Sequence, residues 1–283
     1  MAPAIVTNVE ETRRAIADAK RRGKTIGFVP TMGALHAGHA SLIKAARAEC
    51  GFVVVSIFVN PTQFGPNEDL SRYPRPFEND VKLCETEQVD LIFHPTPEIM
   101  YPSNFRTFVE VEELQDVLCG QSRPGHFRGV ATVVLKLCNI VLPDVAYFGQ
   151  KDAQQARVLI QMVRDLDVPV QVRICSIVRE SDGLALSSRN VYLTAEQRRN
   201  ATVLYRALET IRQSVEQGER DTDTLLRRAR AMIEPTPGAV IDYVEAVDYE
   251  SLRAAKRVAG KVLFALAVRF GTTRLIDNVI VDI

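Results

Sequence analysis

Short apolar runs alternate with amphipathic segments along the first two thirds of this chain of 283 residues. The run at residues 52–59 reads Phe-Val-Val-Val-Ser-Ile-Phe-Val. Such a continuous run suits a strand buried on both faces rather than a half-exposed one. Similar runs occur at residues 25–29, 89–93, 145–148 and 170–178, and the segments between them carry apolar residues at helical spacing. This alternation predicts right-handed crossovers and a mostly parallel sheet covered by helices.

The pattern changes after residue 183. Two helices are predicted at residues 195–217 and 222–233, followed by strands at residues 240–247, 262–270 and 275–281. We therefore predict a Rossmann-like, doubly wound α/β domain over residues 1–183 and a smaller C-terminal α+β domain over residues 184–283, which we expect to act as a lid. Within the first domain, residues 107–111 read as an edge strand.

Composition and charge indicate which partners the chain can bind and in which compartment it functions. Lys and Arg number 35 and Asp and Glu number 35, so no global basic field favours nucleic acid. The five cysteines are dispersed without a C-x-x-C pair, which argues against a zinc site or a disulfide scaffold and favours buried thiols in a reducing compartment. The N-terminus lacks the apolar core of a signal peptide, and no stretch has the length of a membrane span. We expect a cytoplasmic protein with no nucleic-acid or membrane partner.

One stretch carries the features of a phosphate pocket. Residues 30–39 read Pro-Thr-Met-Gly-Ala-Leu-His-Ala-Gly-His, and they join a short strand to a predicted helix. The first amides of such a helix have no partner within it and attract anions. His36 and His39 lie about one helical turn apart, so both can face the same phosphate. Gly38 between them allows a ligand to approach the backbone closely.

Three further polar clusters stand at predicted strand ends or loops. Asn60 and Gln63 follow the buried run, and Gln155 follows a Gly-Gln-Lys-Asp turn at residues 149–152. The third cluster is Ser-Ser-Arg at residues 187–189. Their lysine and arginine suit phosphate oxygens, and the glutamines suit a small hydroxy acid. A solvated lysine and an ordinary serine turn remain alternatives. The basic loop at residues 123–128 could be a ligand loop or an oligomer contact.

The absence of three well-known motifs disfavours several classes of enzyme. The sequence contains no G-x-x-x-x-G-K-[ST] loop and no G-x-G-x-x-G fingerprint, which disfavours a P-loop ATPase and a hydride-transfer enzyme. It also lacks the G-x-S-x-G elbow of many serine hydrolases. What remains is an ATP-using α/β enzyme without a P-loop.

Ordered motifs give a specific resemblance. His-Ala-Gly-His at residues 36–39 resembles the HxGH signature of the adenylyl-transfer superfamily, and Leu-Ser-Ser-Arg at residues 186–189 resembles its second, mobile loop. More narrowly, the chain resembles the pantothenate synthetase family, the pantoate–β-alanine ligases. The stretches that carry this resemblance span nearly the whole chain: residues 30–36, 55–64, 123–130, 148–152, 182–190 and the ending Thr-Arg-Leu-Ile-Asp-Asn at residues 273–278.

The resemblance implies condensation of (R)-pantoate with β-alanine, driven by cleavage of ATP to AMP and pyrophosphate through an enzyme-bound pantoyl adenylate. It also implies Mg²⁺ and a homodimer. Carried over by position, the catalytic residues would be His39 as the proton donor, His36, Lys151 and Arg189. Pantoate would contact Gln63 and Gln155, with β-alanine also at Gln63 and with Asn60 in the same substrate site. The ATP site would comprise Met32, Gly33, Ala34, Leu35, His36, Ala37, Gly38, His39, Gly149, Gln150, Lys151, Asp152, Val178, Leu186, Ser187, Ser188 and Arg189.

Several alternatives stay open at this point. A nucleotidylyltransferase of the same superfamily would release a stable nucleotidyl product, and a non-catalytic regulator would bind ATP without turnover. A tRNA-charging enzyme is disfavoured because the chain has no large appendage or basic surface. Gln150 departs from the Glu that many relatives carry there. The motifs leave the metal ligands unspecified, and the acidic residues Glu78 and Asp80, near the pocket, are candidates.

Overall fold

Parallel strand pairing organises the first two thirds of the chain in the computed structural model, which describes residues 2–66 and 68–283. The elements of this part, in chain order, are β1 Ala4–Val6, α1 Val9–Arg21, β2 Ile26–Thr31, α2 Ala37–Glu49, β3 Phe52–Ile57, α3 Phe77–Thr86, β4 Leu91–Phe93, α4 Pro97–Met100, α5 Cys119–Ser122, α6 His126–Val141, β5 Val145–Gly149, α7 Ala153–Asp165 and β6 Gln171–Cys175. The strands form one sheet in the order β1–β4–β3–β2–β5–β6, with every neighbouring pair parallel.

Both faces of this sheet are covered, as the continuous apolar run at residues 52–59 predicts. In β3, Val53 and Val55 pack in one cluster with residues of α2 and α3. Val54 points the other way and packs in the core that α1, α6 and α7 help to form. The chain adds β3 and β4 on one side of β2, then β5 and β6 on the other. This is the order of a doubly wound sheet, so the predicted fold class is confirmed.

The remaining elements are α8 Ala195–Asn200, α9 Val203–Glu216, α10 Thr222–Ile233, β7 Ala239–Asp248, β8 Lys261–Phe270 and β9 Thr273–Asp282. The three strands form an antiparallel sheet, and α9 and α10 pack against it in a second core. Leu263, Ala265 and Tyr249 instead join the core of the parallel sheet. Arg157 of α7 also donates to the carbonyl oxygen of Glu250 at 3.1 Å. The C-terminal sheet therefore packs against the structure formed by the first two thirds of the chain.

Two sequence predictions were wrong. Residues 107–111 do not form an edge strand, because side chains bind their amides: Val109 N donates to Thr132 Oγ1 at 2.9 Å, and Val111 N donates to Gln115 Oε1 at 3.2 Å. The helix predicted at residues 195–217 is divided into α8 and α9. At the division, the hydroxyl of Thr202 donates to the carbonyl oxygen of Arg199 at 2.8 Å.

Short elements escaped the sequence analysis. The strand β1 has three residues, and the helices α4 and α5 have four each, which is too short for a period to be recognised. The predicted boundary at residue 183 falls in a tight turn, where Gly183 has φ of 92°. The division into two domains there stays a prediction. Within the described residues, none of the helices is both long and apolar enough to cross a bilayer.

Candidate active site

A cavity of about 240 Å³ opens at the carboxyl ends of β2, β3 and β5. Since β2 lies where the connections of the sheet diverge, this is the crevice in which open α/β sheets bind ligands. A second cavity of about 540 Å³ extends from it toward β9. The two share seven wall residues: Arg123, His126, Lys151, Asp152, Gln155, Ser187 and Arg189.

The structure brings most of the predicted site residues together. Those that line the smaller cavity are Met32, His36, Gly38, His39, Asn60, Gln63, Gly149, Lys151, Asp152, Gln155, Val178, Leu186, Ser187, Ser188 and Arg189. Gly33, Ala34, Leu35, Ala37 and Gln150 belong to the same turns but are not among its lining residues. Four segments that are distant in sequence therefore converge on one space.

The two histidines are held in a single protonation state at the start of α2. Nδ1 of His36 accepts from the amide of Gly38 at 3.1 Å, and Nδ1 of His39 accepts from the amide of His36 at 3.3 Å. A ring nitrogen that accepts from an amide carries no proton, so each neutral ring carries its proton on Nε2. Burial lowers the pKa of His36 to about 4, and the charge of Lys151 adds to this effect. Burial, followed by the charges of His36 and Lys151, lowers the pKa of His39 to about 3.

The turn before the histidines is anchored from behind by Asp80 of α3. Its two carboxylate oxygens accept from the amides of Ala34 and Leu35 at 2.9 and 2.7 Å. The carboxylate is 1% exposed and lies outside the cavity lining, and Glu78 is exposed and also outside it. The structure thus gives no support to these residues as metal ligands. Asp80 instead holds the turn at Gly33 and Ala34, both of which have positive φ.

Asn60 and Gln63 form an oriented pair. The Asn60 amide donates to Gln63 Oε1 at 3.0 Å and to the carbonyl oxygen of Gly129 at 3.2 Å, while Asn60 Oδ1 accepts from the Tyr101 hydroxyl at 2.8 Å. The protein therefore engages both polar atoms of Asn60, which is 1% exposed. Because Gln63 Oε1 is held in this way, its Nε2 points toward the sulfur of Met32, at 3.1 Å. The Asn60 amide is thus paired with protein acceptors and orients Gln63, while its place in the substrate site stays a prediction.

The segment that carries Arg189, residues 187–192, contacts a second segment, residues 68–73. We call these two segments together the strap. Arg189 pairs with Asp69 through two contacts, Nε–Oδ2 at 3.1 Å and Nη2–Oδ1 at 3.0 Å. The hydroxyls of Tyr73 and Ser188 lie 3.3 Å apart, and the Tyr192 hydroxyl donates to the Arg72 carbonyl oxygen at 3.1 Å. Lys151 Nζ lies 3.7 Å from Asp152 Oδ2. The strap thus contributes wall residues to both cavities.

The basic loop at residues 123–128 faces the site, which the sequence left undecided. Arg123 pairs with Glu68 at 2.6 Å, and Nδ1 of His126 lies 2.8 Å from the carbonyl oxygen of Gln63. Arg128 turns away and places its guanidinium 3.7 Å from the centre of the Phe108 ring. Arg123 and His126 are therefore site residues that sequence reasoning did not select. The glycine-rich basic stretch was the signal, but it does not say which side chains point inward.

Comparison with known proteins identifies the family. The family model described as pantoate-beta-alanine ligase matches residues 4–280. The chain belongs to the pantoate–β-alanine ligase family. The pantothenate synthetase of Caldicellulosiruptor saccharolyticus is 53% identical over 279 residues, which cover 99% of each chain. That of Thermotoga neapolitana is 55% identical over 276 residues, which cover 98% of this chain and 99% of the relative.

Solved structures of the family have the same fold. The pantothenate synthetase of Thermus thermophilus superposes with a TM-score of 0.93 at 47% identity and covers 98% of each chain. A pantoate-β-alanine ligase from Francisella tularensis, complexed with β,γ-ATP and β-alanine, superposes with a TM-score of 0.81 at 36% identity, over 98% of this chain and 97% of its own. The predicted family and enzyme class, an ATP-dependent ligase, are thereby confirmed. The roles of individual side chains stay predictions.

Proposed function

We propose that the chain joins (R)-pantoate to β-alanine, cleaves ATP to AMP and pyrophosphate, and holds a pantoyl adenylate between the two steps. Its product, pantothenate, feeds the synthesis of coenzyme A. One observation carries the proposal beside family membership: the start of α2, the turn at residues 149–152 and the loop at residues 187–189 line one cavity, together with Gln63 and Gln155. Groups that can donate hydrogen bonds to phosphate and neutral side-chain amides therefore line the same cavity.

In the first step, a carboxylate oxygen of pantoate attacks the α-phosphorus of ATP and the bond to pyrophosphate breaks. Negative charge grows on the phosphate oxygens, so preorganised donors there lower the barrier. We assign this role to the Nε2–H groups of His36 and His39 and to the charges of Lys151 and Arg189. With its pKa lowered to about 3, His39 is uncharged at neutral pH, so it acts as a hydrogen-bond donor to phosphate.

In the second step, the amine of β-alanine attacks the acyl carbon. The bond between that carbon and the AMP oxygen breaks, and the nitrogen loses a proton. We assign the positioning of pantoate to Gln155 and to Gln63, whose Nε2–H is turned toward the cavity by Asn60. An acyl adenylate hydrolyses in open water, so we assign to the strap, which lines both cavities, the exclusion of water until the amine arrives.

Magnesium suits this site as part of the nucleotide substrate. Among the described residues there is no cluster of three or more His, Cys, Asp or Glu side chains arranged to hold a metal. Asp152 is the one carboxylate among the described residues that line the smaller cavity. Since Mg²⁺ commonly binds to phosphate oxygens and water with one or two carboxylates, we propose that it enters with ATP and that Asp152 faces it. Its contribution is neutralisation of phosphate charge.

We also propose that the enzyme is cytoplasmic and, as its family resemblance implies, a homodimer. The five cysteines support a reducing compartment, because all are free thiols in the described structure and four of them are buried. Sedimentation equilibrium at micromolar concentration tests the dimer. A monomer at every concentration would overturn that part of the proposal.

Product analysis tests the proposed reaction. With ATP, Mg²⁺ and pantoate alone, we expect pyrophosphate release equal to the enzyme concentration and no further turnover. Addition of β-alanine should then start continuous formation of AMP. Accumulation of a free nucleotidyl product would instead support a nucleotidylyltransferase, and ATP binding without release of pyrophosphate would support a regulator.

A further inference from the structure

We infer that Asn278 of β9 is a positioning residue for Lys151, an inference that rests on the proposed role of Lys151 at the phosphates. The amide nitrogen of the Asn278 side chain donates to the carbonyl oxygens of Gln150 and Lys151 at 2.9 and 3.0 Å. Its Oδ1 accepts from Nε2 of Gln150 at 3.3 Å. These contacts join the last strand of the chain to the turn that carries the lysine.

The turn needs such a partner because of its own geometry. Residues Gln150–Asp152 form a single turn of 3-10 helix between β5 and α7. A buried backbone carbonyl is costly to leave without a partner, and Asn278 binds two consecutive carbonyls of this turn. Asn278 is 3% exposed, so it supplies its two N–H groups from within the protein. Both donors are used on consecutive carbonyls, which fixes the direction of the backbone at Lys151.

The neighbouring residue of β9 supports the other wall of the site. Asp277 pairs with Arg179 through two contacts at 2.6 and 3.0 Å, and Arg179 also donates to the carbonyl oxygen of Gly183 at 3.1 Å. Arg179 directly follows Val178, which lines the smaller cavity. The adjacent pair Asp277 and Asn278 therefore holds the segment after β6 and the turn after β5 in a constant relation. The Asp-Asn pair in the motif at residues 273–278 therefore supports the backbone of two segments of the site.

The same contacts give Gln150 a role although it does not line the smaller cavity. Its side chain donates to Asn278 Oδ1, while Asn278 donates back to its carbonyl oxygen. An ionised glutamate has no hydrogen to donate in this way. The amide at Gln150 therefore completes the ring of contacts around Asn278 in this chain.

A double-mutant cycle tests whether Asn278 acts through Lys151. We expect Asn278→Ala to weaken ATP binding, measured by calorimetry, by about tenfold when Lys151 is present, and kcat/KM for ATP to fall by about 10²-fold because a shift on the order of 1 Å at a reacting centre has that effect. In a Lys151→Ala background, the same substitution should change ATP affinity less than about twofold. The KM for pantoate should be nearly unchanged.

A matched control separates positioning from general stability. Gln154→Ala removes another buried amide that donates to two carbonyls, those of Leu114 and Val117, at 2.9 and 2.6 Å. Its effect on ATP affinity should be equal with and without Lys151. If Asn278→Ala changed ATP affinity by the same factor with Lys151 and with Lys151→Ala, the inference would be overturned. If Asn278→Ala does not fold, Asn278→Asp keeps the size and removes both donors, and the same comparison decides.

The readout by calorimetry keeps the inference independent of the reaction. If the wild-type protein binds ATP but forms no AMP, the proposed function fails while the cycle can still be measured. If AMP forms normally in the wild type and the cycle shows additive effects, the proposed function stands and the role of Asn278 is refuted.

Discussion

Replacement of Gly129 by alanine tests how closely α6 must approach the turn that carries Gln63. A Cβ atom at this position would lie 2.4 Å from the carbonyl oxygen of Thr62 and 2.7 Å from the amide nitrogen of Gln63. Both are backbone atoms, so no flexible side chain can move aside. Since Cβ contacts below 3.0 Å essentially do not occur, the helix and the turn must separate by about 0.6 Å or more.

Two opposing terms set the expected stability. Overpacking of this kind costs about 1–3 kcal/mol, whereas alanine in a helix gains about 1 kcal/mol over glycine. The free energy of unfolding should therefore fall by roughly 0–2 kcal/mol, which leaves the protein folded. Activity should change more, because Gln63 moves relative to the histidines. Displacement by a sizeable fraction of 1 Å predicts a loss of roughly 10- to 100-fold in kcat/KM for pantoate.

Steady-state kinetics with varied pantoate, combined with urea denaturation, measures both quantities. Gly65→Ala is the matched control, because its Cβ would meet only the Glu68 side chain, at 3.7 Å or beyond. We expect this control to keep its kcat/KM for pantoate near the wild-type value. Unchanged kinetics and unchanged stability in Gly129→Ala would refute the argument that this close approach positions Gln63.

Four further predictions follow from the site. His39→Ala should reduce single-turnover formation of the adenylate by orders of magnitude and leave the circular dichroism spectrum intact, and near-normal rates would remove the residue from the mechanism. Gln63→Ala should raise the KM for pantoate, whereas an unchanged KM would contradict its assigned contact. Asp69→Asn removes a carboxylate that competes with phosphate for Arg189, so calorimetry should show tighter ATP binding; weaker binding would show that the pair instead orients the arginine. Burial lowers the pKa of His36 to about 4 and that of His39 to about 3, whereas both histidines have pKa values near 6.5 in the unfolded chain. Between pH 6.5 and pH 4 the unfolded chain therefore binds more protons than the folded one. The free energy of unfolding should therefore fall as the pH drops from about 6.5 toward 4, as urea titrations at pH 7 and pH 5 would measure, and equal stability at both would contradict the buried neutral rings.

The fold class could be predicted because its signals are local. A strand buried on both faces must be apolar at nearly every position, and residues 52–59 show this without knowledge of their neighbours. The start of α2 was equally readable, since a strand, a glycine turn and a helical period follow one another in the chain. Residues 107–111 have the composition of a strand, but Thr132 binds one of their amides from 23 positions away. No local pattern contains that contact.

The candidate site divides in the same way. The sequence alone indicated which residue types could handle phosphates and a hydroxy acid, because side-chain chemistry is a property of each residue. It did not reveal that the Asn60 amide is paired with Gln63, or that Asp80 anchors a turn. The contacts of Asn278 with Lys151 join positions 127 apart. Only the tertiary structure decides such roles, since they depend on which groups become neighbours once the chain has folded and on whether their polar atoms are already paired.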